Sequence, residues 1–345
     1  VYMSKWVKVI AIILTVCLMA ATAGCSAPAA PEEPADNGDT PDVAQETDYP
    51  KEPIHIVVPM KAGGSTDIVA RAIQPYLTKY AGVSVVIDNV EGGGGKIGVS
   101  QVYKEEPDGY QLLLGVFPAW LLTQRIDKTA DYDVHQMVPL YNISGNDYNA
   151  IAVPYDSPIQ TLDDLIQASQ AKALKVSGSG LGTNSFLAFV LLKDKIKANV
   201  DYIPYNSGSE AVLAVVGEHV DASVGSVISF KPQADDKKVR VIATFGPERA
   251  ETFPDVPTVA EAGFPDAVFD ITLGIMAPPG LPADIAAKLE SALEQAVNDP
   301  EFQAAAKQAN IGVAPMNAAE YKQSIEQADN IIKANLDALI AGSGQ

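Results

Sequence analysis

The chain has 345 residues, 47% of them hydrophobic, and a formal net charge of -19 at neutral pH. That acidity excludes nucleic acid as a partner, because phosphate backbones demand a basic surface. It does not exclude a small anion, since surface charge is screened over roughly 8 Å in physiological salt and local donors decide what a cleft holds.

Lys5 and Lys8 precede an apolar and small-residue run over 9–23, centred on Ile10, Ile12, Ile13, Leu14, Val16 and Leu18. The run is short for a membrane span and ends in small residues, so 1–24 reads as a signal peptide. Thr22-Ala23-Gly24-Cys25 resembles a bacterial lipobox, in which the cysteine is lipidated and becomes the new N-terminus. Acylation at two points suffices for stable anchoring. The alternative is a secreted protein with an incidental Cys25. From 26 to 50 there are five prolines, seven acidic residues and no Lys or Arg. Such a segment buries no apolar face, so 25–50 is expected to be a lipidated cysteine and a disordered acidic tether. The expected location is the outer face of the cytoplasmic membrane, or the periplasm where an outer membrane exists.

Cys17 leaves with the leader and Cys25 takes the lipid, so the folded body has no disulfide, no cysteine nucleophile and no thiolate metal site. His55, His135 and His219 lack ligand spacing, and no metal site is expected.

In the body, apolar runs alternate with helical periodicity. Ile54-His55-Ile56-Val57-Val58 reads as a buried strand, 66–80 as a helix, and Ser84-Val85-Val86-Ile87 as the next strand. A helix over 97–104 and a strand over 111–114 follow. The alternation resumes with a strand over 150–153, a helix over 162–171 and a strand over 174–176. Next come a helix near 184–192, a strand over 201–203, a helix near 210–216, and strands over 222–224 and 239–243. From 282 to 339 the chain is mostly helical. The pattern predicts an α/β fold with parallel sheets. Its two sets suggest two lobes with a ligand cleft between them: 51–145 plus 271–345, and 146–270. The crossings fall near Ser144-Gly145-Asn146-Asp147 and around 269–276. A single large sheet is the alternative.

Two loops suit an anion. Lys61-Ala62-Gly63-Gly64-Ser65-Thr66-Asp67 joins the first strand to the first helix. Glycines admit close approach, Ser65 or Thr66 can cap the helix, and the helix's free N–H groups face outward. Ser177-Gly178-Ser179-Gly180-Leu181-Gly182-Thr183-Asn184 is its counterpart in the second set. Two helix N-termini facing one cleft would clamp a carboxylate; glycine-rich turns without a ligand are the plainer reading.

Rival motifs fail on context. Gly93-Gly94-Gly95-Lys96-Ile97-Gly98 fits a dinucleotide fingerprint, yet no ribose-binding acid stands about 20 residues on, and Ile97 occupies the P-loop hydroxyl position. Gly178-Ser179-Gly180 and Ser207-Gly208-Ser209 have no nearby histidine, so no enzyme or cofactor is expected, although a triad assembled in space stays open.

Taken in order, these loops resemble the solute-binding receptors of tripartite tricarboxylate transporters, also called Bug receptors. The resemblance runs through Tyr49-Pro50-Lys51-Glu52-Pro53-Ile54, Gly63-Gly64-Ser65-Thr66-Asp67, 89–98, Pro107-Asp108-Gly109-Tyr110 and Pro204-Tyr205-Asn206-Ser207-Gly208. It continues in Gly217-Glu218-His219-Val220-Asp221-Ala222, Phe253-Pro254-Asp255-Val256-Pro257-Thr258 and 274–282, where it is of the tricarboxylate-type branch. It implies a two-lobed periplasmic-binding-protein fold, type II-like, that closes on a small carboxylate: a dicarboxylate, a citrate-like acid or an aromatic acid. It also implies a monomer that delivers ligand to membrane subunits of the transporter. An anchored hydrolase and a ligand-presenting partner of a membrane kinase are the alternatives. Carried over by position, the donors are Gly64, Ser65 and Thr66, with Asp67 bracing their loop, and Ser179, Gly180 and Thr183. Ser226 stands where the family often has Asn. Asn206 and Lys61 are candidates for a second carboxylate. Val116-Phe117-Pro118-Ala119-Trp120 replaces the small hydroxylated residues usual after the third strand. That apolar edge either shapes the distal end of the ligand or packs in the core.

Overall fold

The computed structural model describes residues 48–145 and 147–343. The expected leader, Cys25 and all but the end of the tether lie outside the described residues. Among the described residues, no helix is long and apolar enough to cross a membrane.

Two sheets form. The first contains β1 (Ile54–Val58), β2 (Val85–Asn89), β3 (Gln111–Phe117), β4 (Val138–Ser144), β10 (Thr272–Ala277) and β11 (Val313–Met316), in the order β11-β4-β10-β3-β1-β2. The second contains β5 (Asn149–Pro154), β6 (Leu174–Ser179), β7 (Val200–Tyr205), β8 (Ala222–Ser226) and β9 (Val239–Thr244), in the order β7-β6-β8-β5-β9. β1 pairs in parallel with β2 and β3, and β6 in parallel with β7 and β8. β10 is antiparallel to β3 and β4, and β5 to β8 and β9. The single-sheet alternative is thereby excluded.

Helices fill the connections: α1 (Ser65–Ala81), α2 (Lys96–Tyr103), α3 (Ala119–Ile126), α4 (Leu162–Ala171), α5 (Asn184–Asp194), α6 (Gly208–Val216) and α7 (Val227–Asp235). α8 (Ala283–Val297), α9 (Pro300–Gln308), α10 (Ala318–Ala334) and α11 (Leu336–Ser343) complete the chain. α1 shows the local logic. Val69, Ala70, Ile73 and Leu77 bury one face at helical spacing. Gly82 stops the helix at φ 75°, a left-handed conformation open to glycine, with its amide bonded to the Thr78 carbonyl. α4 starts on a capping box between Thr161 and Asp164.

The segment expected as the second crossing is largely β10, a fully buried strand at the middle of the first sheet. α3 escapes a periodicity reading because 119–123 is buried on every side, which leaves no polar face to mark a helical period. α11 packs against α5 of the second layer and against α3 of the first, so the C-terminal helix touches both.

Candidate functional site

The chain reverses direction across each sheet at one place. From β1 it goes outward to β2, then returns to the far side for β3; from β6 it goes to β7, then to β8 on the other side. The crevice outside the carboxyl ends of such strands is where open α/β sheets bind ligands. The helices that follow these strands begin there, so the first-turn amides that no cap satisfies are presented to the crevice.

A cleft occupies this position. It is lined by the opening residues of five helices. Gly64, Ser65 and Thr66 start α1; Ala119 and Trp120 start α3. Thr183, Asn184 and Ser185 start α5, Ser207 and Gly208 start α6, and Ser226 with Ser229 starts α7. Each helix N-terminus carries a partial positive charge that favours an anion by roughly 0.3–1 kcal/mol. Lys61 and Asp147 are the charged residues on the lining. Lys61 Nζ bonds Glu210 Oε1 at 2.9 Å, and the pair holds the lysine above its ordinary value.

The first-layer loop is held from behind. Asp67 Oδ2 accepts from the Gly63 amide and from Arg71 Nε, both at 2.9 Å, and Oδ1 accepts from Asn89 Nδ2 at 3.0 Å. Burial raises the carboxyl's pKa, but the bonds from Arg71, Gly63 and Asn89 outweigh it and hold the group below the usual carboxylate range. Asp67 is not on the cleft lining, unlike its neighbours Ser65 and Thr66.

In the second layer the hydroxyls serve the loop itself. Thr183 Oγ1 lies 3.0 Å from the Ser179 carbonyl and 2.8 Å from that of Gly180, and it accepts from the Phe186 amide at 3.3 Å. Ser179 Oγ is 3.0 Å from Ser185 Oγ. Ser207 caps α6 by accepting from the Glu210 amide. Ser226 caps α7 by accepting from Ile228 N at 3.2 Å and donates to Asp147 Oδ1. Asp147 is 3% exposed. Its burial pushes the carboxyl up to about 6, against the Ser226 and Ile228 bonds and with help from the charge of Asp270.

Three buried polar atoms on this lining have no hydrogen-bond partner among the described residues: Trp120 Nε1, Asn149 Nδ2 and Asn184 Oδ1. Trp120 and Asn149 are 1% and 2% exposed, so each leaves a donor desolvated and unpaired, at a cost of about 1–3 kcal/mol unless a ligand or water takes it. One glycine of the 93–95 stretch, Gly95, is explained by the same tryptophan. A Cβ on Gly95 would stand 2.1 Å from Trp120 Cζ3, and Gly95 has φ 99°. Gly95 leaves room for the indole ring.

Of the residues expected from sequence, Gly64, Ser65, Thr66, Ser179, Thr183 and Ser226 share this cleft. Gly180 and Asn206 line an adjoining hollow, which shares Met60, Lys61 and Thr183 with the cleft. Asp147, Asn149, Asn184 and Ser207 are additions. Asn149 and Asp147 sit at a crossing, where sequence shows only a polar loop. Trp120 joins the site through the α3 N-terminus, an arrangement for which Pro118 before an apolar run was the available signal. No histidine is among the lining residues.

The matches to known proteins follow the same architecture. A UPF0065 protein from the gbd 5' region of Cupriavidus necator is 30% identical over 303 residues, covering 87% of this chain and 91% of that relative. The structure of the periplasmic binding protein BugD superposes with a TM-score of 0.75 at 28% identity, over 83% of this chain and 98% of BugD. MatC of Rhodopseudomonas palustris, solved with bound malate, also superposes at 0.75, with 25% identity over 84% of this chain and all of MatC. The tripartite tricarboxylate transporter family receptor model matches residues 69–339, and the chain belongs to that family of solute-binding receptors.

Proposed function

We propose that this receptor captures a small carboxylate outside the cytoplasmic membrane and presents it to the membrane subunits of a tripartite tricarboxylate-type transporter. One observation carries the reading: five helix N-termini open on one cleft, beside two buried side-chain donors with no partner among the described residues. A carboxylate accepts several hydrogen bonds and carries the charge that the helix ends favour. Ser65, Thr66, Asn184 and Ser185 supply first-turn amides, while Thr183 and Asp67 hold the loops that present them. The bound malate of MatC supports this class of ligand.

Binding closes the cleft. Thr123 Oγ1 of α3 donates to the Gly182 carbonyl at 2.9 Å, and Lys61 meets Glu210, so contacts already join the two layers. Ligand contacts made from both layers at once select this state by differential affinity. The leader and Cys25 place the receptor on the membrane by a lipid, with 26–50 as its tether; mass spectrometry of membrane-extracted protein tests this, and an unmodified Cys25 overturns it.

Calorimetry against mono-, di- and tricarboxylates tests the function. Saturable binding to at least one is expected, without turnover. Binding to a neutral sugar alone, or to no member of the panel, overturns it.

A further inference from the structure

The cleft has a second, opposite character that a simple carboxylate does not use. Asp147 lines it, is 3% exposed, and takes part in no ion pair among the described residues. Its hydrogen bonds come from the Ser226 hydroxyl and the Ile228 amide. The acid nearest in charge is Asp270, from the returning crossing, which repels it. Lys61, the cation on the lining, is engaged by Glu210. Asn184 Oδ1, 8% exposed as a residue, is a further acceptor on the same lining with no partner among the described residues. A buried carboxyl without a cation is costly, and burial has moved its pKa to about 6. The protein gives this carboxyl two hydrogen bonds and, among the described residues, no cation.

We propose that Asp147, with Asn184, is a specificity-determining acceptor pole that selects a ligand bearing an ammonium group as well as a carboxylate. The proposal rests on the carboxylate reading given above and narrows it. The ligand's carboxylate meets the helix N-termini. Its ammonium meets Asp147 Oδ and Asn184 Oδ1, supplying the charge that the protein omits. A ligand lacking the ammonium leaves Asp147 without a cation and Asn184 Oδ1 without a partner among the described residues, and a site built to bond an N–H rejects such analogues strongly. A second carboxylate at that point would be repelled by Asp147, which lines the cleft.

Matched sets separate the possibilities, each varying one substituent at fixed chain length: propionate, lactate and alanine; succinate, malate and aspartate; glutarate, 2-hydroxyglutarate and glutamate. Calorimetry on the full wild-type receptor is expected to show, in the set that fits best, the amino member binding at least about tenfold tighter than the other two. Asp147→Asn keeps the shape and the bond to Ser226 and is expected to bring the three members within about threefold of one another. The wild-type ranking needs no variant, so a poorly folding mutant leaves the test intact. A hydroxy or unsubstituted member that binds best overturns the inference while leaving carboxylate capture standing, and so does a preference that survives Asp147→Asn. If no member of any set binds and the wider panel is also silent, the proposed function fails and this inference with it.

Discussion

Lys61 Nζ lies 2.9 Å from Glu210 Oε1, tying the loop after β1 to the first turn of α6 across the mouth of the cleft. Both side chains are solvent-accessible, so their attraction is modest and screened by salt. Lys61→Met or Glu210→Gln is expected to weaken ligand affinity by roughly two- to fivefold. The double variant should cost little more than either single change, and the effect should fade at high salt. Calorimetry at two ionic strengths measures it.

Thr123 and Gly182 make the buried counterpart of that link. Thr123 Oγ1 donates to the Gly182 carbonyl, and a Cβ on Gly182 would meet the same oxygen at 2.4 Å. Thr123→Val leaves the carbonyl buried without this donor, a loss of about 1–3 kcal/mol confined to the closed state. Affinity should fall at least about fivefold. Solution scattering of the unliganded variant should show a larger radius of gyration.

Trp120 offers a direct report of occupancy. The sequence holds two tryptophans, Trp6 and Trp120. Protein starting after Cys25 therefore carries Trp120 alone, and its emission should change on ligand addition. Trp120→Phe removes the indole donor and should weaken binding by about 0.5–1.5 kcal/mol. Gly95→Ala displaces the ring, since its Cβ would overlap Trp120, and should cost at least as much. Fluorescence titration of Gly95→Ala and calorimetry of Trp120→Phe check these values.

Asp147 sets a pH dependence of stability. Its carboxyl rises from 3.8 to about 6 on folding. The folded state then holds the proton more tightly, so this contribution favours folding below about pH 4 and is lost as pH climbs through 6. A shift of this size corresponds to about 3 kcal/mol at most. Asp147→Asn should be more stable than wild type at pH 7.5 and gain much less at pH 4.5. Carboxylates held low elsewhere, such as Asp127 at about 2, act in the opposite direction but are common to both proteins and cancel in the difference. Urea denaturation of unliganded protein at the two pH values measures it.

Much of the α/β alternation was legible because α1 and α4 bury one face each and keep a polar one, which leaves a helical period in the residues. The α1 and α5 loops were legible because a glycine-rich turn between a strand and a helix has few other uses. Trp120 was ambiguous from sequence, core or ligand edge, because an apolar residue in an apolar run has no marker of what it faces. In the structure its ring is part of the hydrophobic core, and its Nε1, on the cleft lining, has no partner among the described residues. Asp147 was invisible: an acid in a polar crossing reads as solvated, and its burial arises from packing around the crossing.

The sequence by itself determined the secondary elements with an amphipathic period, the family, and the glycine and hydroxyl loops that start α1 and α5. These are local properties, set by side-chain spacing and backbone freedom within a few residues. Only the tertiary structure decided that five helix ends share one cleft, that Gly95 makes room for Trp120, and that Asp147 lines that cleft with no cation paired to it among the described residues. Those depend on where the two sheets reverse their strand order and how their layers meet, and such long-range contacts leave no periodic trace along the chain.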